Sequence, residues 1–380
     1  MKIIVATDSY KGTISASDAS AIIAEAFSEK LPLAKVIKMP IADGGEGSAA
    51  CFVDAMGGSF ITTNVKNCFF ENTSVRFGLI ERGETAVIEI AQAAGLHFAE
   101  GRKNPMLTTT YGVGQMIAAA AELGVKRIWL CLGGSATNDL GLGAAAALGV
   151  RFTGADGEDM LPLGGTLDEL CGIDVSGVPD SIRTLEISCL CDVTGTLTGE
   201  AGAARMFAAQ KGASPEVVEI LERGAAHVQS LFLRALGADV SELAGGGAAG
   251  GMGAGMYALF GAPLRRGVEE ILSAVGFDTA LAGCDLVVTG EGHVDAQSLN
   301  GKAIGGVIAA AQRKNVPVAV IGGSVSPGVA EALGADAVFS TVSDFCTFDA
   351  VRGHAKENLR AAARSIAAVM AAAGTLKPNS

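Results

Sequence analysis

Histidine and tryptophan are scarce in this chain of 380 residues, with four of the first and one of the second. None of the histidines (His97, His227, His293, His354) falls in an HExxH string or beside a GxSxG string, which removes the usual signals of zinc proteases and serine hydrolases. The eight cysteines form no CxxC pair. Cys189 and Cys191 share one face of the strand-like ISCLCDV, so reduced structural thiols are expected rather than disulfides or a zinc site. Hydrophobic residues reach 49%, mostly as alanine and short aliphatics, and no run approaches the roughly 18 apolar residues of a membrane helix. The opening MKIIVATDSYKG lacks the apolar segment of a secretion signal. A soluble, cytoplasmic protein without a membrane partner is expected. Lys plus Arg number 28 against 40 Asp plus Glu, a net charge of −12, which argues against nucleic acid as a partner because its phosphates require clustered cations.

Glycine, by contrast, is abundant at 52 residues, nearly twice the ordinary usage of about 7%. Much of it stands in loops between elements of alternating type. KIIVAT reads as a strand, DSYKG as its loop, and a helix follows from about Ser15, with Ile22, Ile23, Ala26, Phe27 and Leu31 on one face and Pro32 as its stop. AKVIKMP gives a second strand, DGGEG its loop, and a helix runs from about Ser48 to Gly57-Gly58. TSVRFGLI and ETAVIEIA then lie close together around ERG, a hairpin pattern that departs from βα alternation. Alternation resumes with a helix from Thr110, strand KRIWLCL, loop GGSATNDLG and an alanine-rich helix. The tail reads DLVVTG, loop, helix, PVAVIGG, helix, DAVFSTV, helix. These units predict an α/β protein with a parallel sheet covered on both faces, built from residues 1–75 plus 285–380, and an inserted mixed-sheet α/β domain over 76–284.

In open α/β sheets ligands bind beyond the carboxyl ends of the strands, and there the reactive side chains collect. DSYKG supplies Asp8, Ser9, Lys11 and Gly12. DGGEG supplies Asp43 and Glu46, GGSATND supplies Gly134, Ser135, Thr137, Asn138 and Asp139, CDVTG supplies Asp192, and TGEGHVD supplies Glu291, His293 and Asp295. Glycines let backbone N–H groups approach an anion, hydroxyls donate to phosphate, and carboxylates hold Mg²⁺. Plainer roles compete: Asp8 and Ser15 as helix caps, Ser135, Thr137 or Asn138 as caps, and Lys211-Gly212 as an ordinary helix end. Acid-Gly-Gly-acid-Gly before a helix is harder to explain as a turn alone. Two standard phosphate signatures fail. LNGKA lacks both the first Gly and the Ser or Thr of a Walker loop, and GGGAAG at 245–250 is not preceded by a buried strand. A nucleotide-dependent oxidoreductase is therefore the weaker alternative.

The strings DSYKGTISA, PIADGGEGS, TTTYGVGQ, GGSATNDLGLGAAAALG, CDVTGTLTG, AAQKGA, GGGAAGGMGAG and TGEGHVDAQSLNGK, in that order and spacing, resemble the bacterial glycerate kinase family over essentially the whole chain. The resemblance implies two α/β domains, one a discontinuous flavodoxin-like three-layer sandwich, with a cleft between them. It implies ATP- and Mg²⁺-dependent phosphorylation of D-glycerate, commonly to 2-phosphoglycerate, in a monomer or homodimer. On that basis Lys11, with the DSYKG backbone, and Lys211 are expected to bind phosphate or the substrate carboxylate, and Gly134, Ser135, Thr137 and Asn138 to donate to the bound anion. Asp43, Glu46, Asp192 and Glu291 are the metal candidates, and Asp192, Asp295 and Lys11 the catalytic ones. The chain departs from the family in DVTGTL, FAAQKGA and GEGH. In the last, His293 replaces an arginine; if that position meets phosphate, affinity is expected to fall unless Arg205 or Lys302 compensates. A glycerate 3-kinase, or a sensor on the same scaffold, remains an alternative.

Overall fold

The computed structural model describes residues 1–295, 298, 303–342 and 353–375. Strands β1 (Lys2–Thr7) and β2 (Lys35–Lys38) open the chain. They are followed by β3 (Ser59–Lys66), β4 (Asn72–Ile80), β5 (Thr85–Glu89), β6 (Arg127–Cys131), β7 (Arg151–Thr153), β8 (Gly172–Asp174), β9 (Glu186–Leu190) and β10 (Leu264–Arg265). Strands β11 (Leu286–Val294), β12 (Val318–Val325) and β13 (Ala337–Ser340) close it.

Contacts divide the chain into two compact units, Met1–Asp43 with Val268–Ser380, and Gly44–Gly267. The borders expected near 76 and 284 therefore move, for a physical reason. Strand β3 pairs with β4 along its whole length, Ser59 opposite Leu79 to Lys66 opposite Asn72, so it belongs with the hairpin sequence reading had placed beyond it. At the other border, Gly306 leaves room for Val268, which lies with the first unit.

The first unit holds a five-stranded sheet ordered β13-β12-β11-β1-β2, with every pairing parallel. Counted within the unit this is the 2-1-3-4-5 order of flavodoxin-like folds. Alternation along the strands builds two cores. Ile3, Val5, Val288 and Ile321 pack with Ile23 and Phe27 of the helix Ala16–Lys30 and with Leu359 and Ala363 of the helix Ala355–Thr375. Their neighbours Ile4, Val287 and Val320 are equally buried and outside that cluster, and the helix Ala303–Arg313 packs on β11 and β1. Ser15 caps the first helix by accepting from the Asp18 N–H, as its position predicts.

The second unit is built on a six-stranded sheet, β10-β9-β6-β5-β4-β3. Strands β3, β4 and β5 pair antiparallel, and β5, β6, β9 and β10 parallel, which is the mixed sheet expected from the hairpin pattern. A separate antiparallel ribbon pairs β7 with β8. Among the described residues no helix is long and apolar enough to cross a membrane.

Phe27 is fully buried at the centre of the first core. Phe27→Ala is expected to cost about 3–5 kcal/mol, read as a lower urea midpoint by circular dichroism; an unchanged midpoint would contradict this packing.

Candidate active site

At the carboxyl edge of the first sheet, β1 ends at Thr7 and the DSYKG loop folds back on itself through a bridge between Tyr10 and Ile14, with Gly12 at φ +76°. Asp8 is 2% exposed and accepts from the Ser9 N–H at 2.6 Å. Burial first, and then the neighbouring Asp43 carboxylate, raise the Asp8 carboxyl well above its ordinary range, against the pull of Lys11. Lys11 Nζ donates to Asp43 Oδ2 at 3.1 Å, and that carboxylate holds the ammonium above its usual range. Glu291, on β11, is buried and accepts from Ser298 Oγ at 2.5 Å. Ser298 also exchanges backbone bonds with Asp295: its N–H donates to Asp295 Oδ1, and its Oγ accepts from the Asp295 N–H. The Tyr10 hydroxyl donates to the Ile321 carbonyl, and burial, helped by Glu291, pushes the phenol up. His293 is exposed, with Nδ1 2.6 Å from Ser324 Oγ and Nε2 3.3 Å from Ser326 Oγ.

The second unit orders its loops differently. Lys211 is 2% exposed, and its Nζ donates to Ser135 Oγ at 3.0 Å, the Thr137 carbonyl at 2.6 Å and Asn138 Oδ1 at 3.3 Å. Burial pushes the ammonium down to about 7, with Asp139 acting the other way. Asp139 is itself fully buried and accepts from the Thr110 N–H and hydroxyl at 2.6 and 2.8 Å and from the N–H groups of Gly141 and Gly143 at 3.3 Å. Burial raises its carboxyl, while these donors lower it. The 134–139 loop is thus held by the buried Lys211 and anchored through its own buried Asp139. The backbone of 249–251, all at positive φ, packs on the same loop, and Gly250 accepts from the Leu140 N–H at 3.2 Å. A side chain at Gly250 would collide with the Thr137 carbonyl.

Several expectations change. Ser135, Thr137 and Asn138 cap no helix, since the next one begins after Gly141 without a side-chain cap; Ser135 and Asn138 hold Lys211 instead. Lys211 does end a helical turn before Gly212 at φ +96°, but all three of its contacts run inward to the protein. The metal candidates fall apart by unit, with Asp43 and Glu291 in the first and Glu46 and Asp192 in the second. Among the described residues no three His, Cys, Asp or Glu side chains converge as a metal cage. Asp192 is half-buried after β9, and Cys191 beside it is pushed up to about 12, by burial and then by that carboxylate. Arg205, one of two residues that would have to compensate for His293, pairs with Glu219 at 2.7 and 3.1 Å; the other, Lys302, lies outside the described residues. Sequence reading missed Ser298, Asp139 as an anchor, and Glu89, a lone acid ending the apolar strand β5. Glu89 Oε1 accepts from the Gly47 and Ala49 N–H groups at 3.0 and 2.8 Å.

A parallel sheet of flavodoxin-like order with acids and a lysine at its carboxyl edge, and a mixed sheet with an ordered hydroxyl-bearing loop, make an α/β architecture of two sheets. The glycerate kinase family profile matches residues 3–371. The chain is 41% identical over 372 residues to the glycerate kinase of Bacillus cereus (strain ATCC 10987 / NRS 248), covering 97% of this chain and 98% of the relative. It is 39% identical over 374 residues to the glycerate 2-kinase of Escherichia coli (strain K12), covering 98% of each. A crystal structure of a chain assigned as glycerate kinase 2 from Salmonella typhimurium LT2 aligns with a TM-score of 0.85 at 41% identity, over 99% of this chain and 100% of that one. The chain belongs to the glycerate kinase family.

The Lys211 geometry fixes a pH dependence. The folded chain releases this proton near pH 7, whereas the unfolded chain keeps it to about pH 10.4. Between those values the unfolded state binds more protons, so stability from this group rises with pH. Urea unfolding followed by fluorescence of Trp129, on β6 of the same unit, at about pH 7 and about pH 9.5 is expected to show a smaller rise for Lys211→Met than for the wild type. An equal or larger rise in the variant would contradict the assignment.

Proposed function

We propose that the chain transfers the γ-phosphoryl group of ATP to D-glycerate with Mg²⁺, at the 2-hydroxyl, giving 2-phosphoglycerate and ADP in the cytoplasm. The observation that supports this reading best is the first unit's carboxylate group, Asp8, Asp43 and Glu291, each acting on the ammonium of Lys11 in a member of the glycerate kinase family. Asp8 is raised first by burial and then by the Asp43 charge, and acids gathered in this way fit a divalent cation. Magnesium takes one or two carboxylates together with phosphate oxygens and water rather than an all-protein cage. Asp43 and Glu291 are the residues that would hold it. When bound, it neutralises charge on the phosphate oxygens.

Transfer passes through a loose transition state, so positioning and charge carry the reaction. Lys11 stays charged beside Asp43 and meets phosphate oxygen, with the Ser9 hydroxyl and the turn at Gly12 completing that loop. Glu291 is oriented by Ser298, which also fixes Asp295. In the second unit Lys211 orders Ser135, Thr137 and Asn138, and with Gly134 these present donors to the carboxylate of glycerate. Lys211 acts through that loop rather than by direct contact. Asp192 accepts the proton of the attacking hydroxyl, Glu46 stands as a further acid toward the acceptor, and His293 with its serines offers hydrogen bonds to phosphate. The chain acts as a monomer or homodimer, without nucleic acid or membrane.

Release of ADP from ATP, Mg²⁺ and D-glycerate, with enolase alone converting the product to phosphoenolpyruvate, is the expected result. A requirement for a mutase would move the phosphate to the 3-position, and absence of ADP release would sink the reading. Asp192→Asn is expected to lower kcat by about 10²–10⁴-fold, and Asp295→Asn by less. A kcat for Asp192→Asn within about threefold of wild type, under ~1 kcal/mol, would remove it as the base.

A further inference from the structure

The DGGEG loop is seated in the second unit by its backbone. A side chain on Gly133, just past β6, would collide with the Gly45 backbone, and one on Gly44 would press on the Leu190 carbonyl at 3.2 Å, at the end of β9. Gly44, Gly45, Ser48 and Ala49 are buried, while Glu46 between them is exposed. Gly47 leaves the loop at φ +92° into the helix Ser48–Met56, and no side chain of its own caps that helix. Glu89 does so from the end of β5. Buried at 6% exposure, it accepts from Gly47 and Ala49, flanking the first helical residue, through one oxygen, and it also bonds to Gln92. Burial and, less strongly, the charge of Glu46 raise the Glu89 carboxyl.

We infer that Glu89 is a positioning residue of this enzyme: by holding the Gly47 and Ala49 amides it fixes the loop that presents the Glu46 carboxylate. The placing of Glu46 toward the acceptor rests on the function proposed above, whereas the hold on the loop does not. The neighbouring strand ends stop the loop from sinking, and Glu89 stops it from swinging out. A helix N-terminus left without this partner would leave unsatisfied the buried Ala49 N–H and the half-buried Gly47 N–H, so the loop would re-form differently around them.

Two readouts test this on the full-length protein. Amide hydrogen exchange at Gly47 and Ala49 is expected to quicken at least about tenfold in Glu89→Ala and to stay close to wild type in Glu89→Gln, whose amide oxygen still accepts both bonds. Kinetics with ATP, Mg²⁺ and D-glycerate are expected to show kcat about 10–100-fold lower in Glu89→Ala with KM for ATP little changed, and recovery to within about threefold in Glu89→Gln. Because Glu89 acts through Glu46, Glu46→Ala with Glu89→Ala should be no slower than Glu46→Ala alone. If Glu89→Ala does not fold, Glu89→Asp, one methylene shorter, takes its place. Unchanged exchange overturns the inference, as does fast exchange with kcat retained or additive loss in the double variant. A wild type inactive on D-glycerate would overturn the proposed function, and exchange would then decide the hold on the loop by itself.

Discussion

A buried ammonium, Lys211, bonded to Ser135, Thr137 and Asn138, and a buried carboxylate, Asp139, that closes the same loop, hold the 134–139 loop of the second unit. Lys211 takes three acceptors from the 135–138 stretch, and Asp139 takes donors from Thr110, Gly141 and Gly143. Neither charge is placed there cheaply, since each loses its hydration and regains it only through these bonds. Removing one partner would leave the other uncompensated, so the loop has little freedom to rearrange. If this loop meets the ligand as proposed, it needs no reordering on binding, which is the condition under which fixed dipoles and hydroxyls assist phosphoryl transfer.

The first unit solves the same problem with unequal charge. Among the described residues Asp8, Asp43 and Glu291 surround the ammonium of Lys11, and the Asp8 carboxyl is raised first by burial and then by the Asp43 charge. Ser298 takes a different part, donating its hydroxyl to Glu291 while its backbone and Oγ tie down Asp295. One unit is therefore built around neutral acceptors of a cation, and the other around acids that favour a cation arriving from outside. In the proposed reaction a magnesium-nucleotide complex and a small hydroxy acid would make those two different demands.

Much of this was legible in the chain. Apolar runs alternating with helical periodicity marked the parallel sheet, and Ser15 and the hairpin around ERG stand where pattern and turn chemistry put them. The domain borders were not legible, because the pairing of β3 with β4 is set by register, and no linker or change of composition marks Gly44 or Val268. Site residues divided in the same way. Loop acids beside glycine could be picked out by type, whereas Lys211 looked like a helix-ending cation, and its partner Ser135 lies 76 residues earlier in the chain. Glu89 and Ser298 carried only weak signals, a single acid closing an apolar strand and a serine in a polar loop. What each one does depends on backbone N–H groups and oxygens that only the fold brings near.

The most direct test of the account is proton-coupled ³¹P NMR of the full-length protein with ATP, Mg²⁺ and D-glycerate. Phosphate on the C2 oxygen couples to one proton and phosphate on the C3 oxygen to two. The account predicts a new phosphomonoester doublet growing as ADP appears. A triplet would place the phosphate on the other hydroxyl, and a spectrum in which ATP persists without any phosphomonoester would contradict phosphoryl transfer to glycerate altogether.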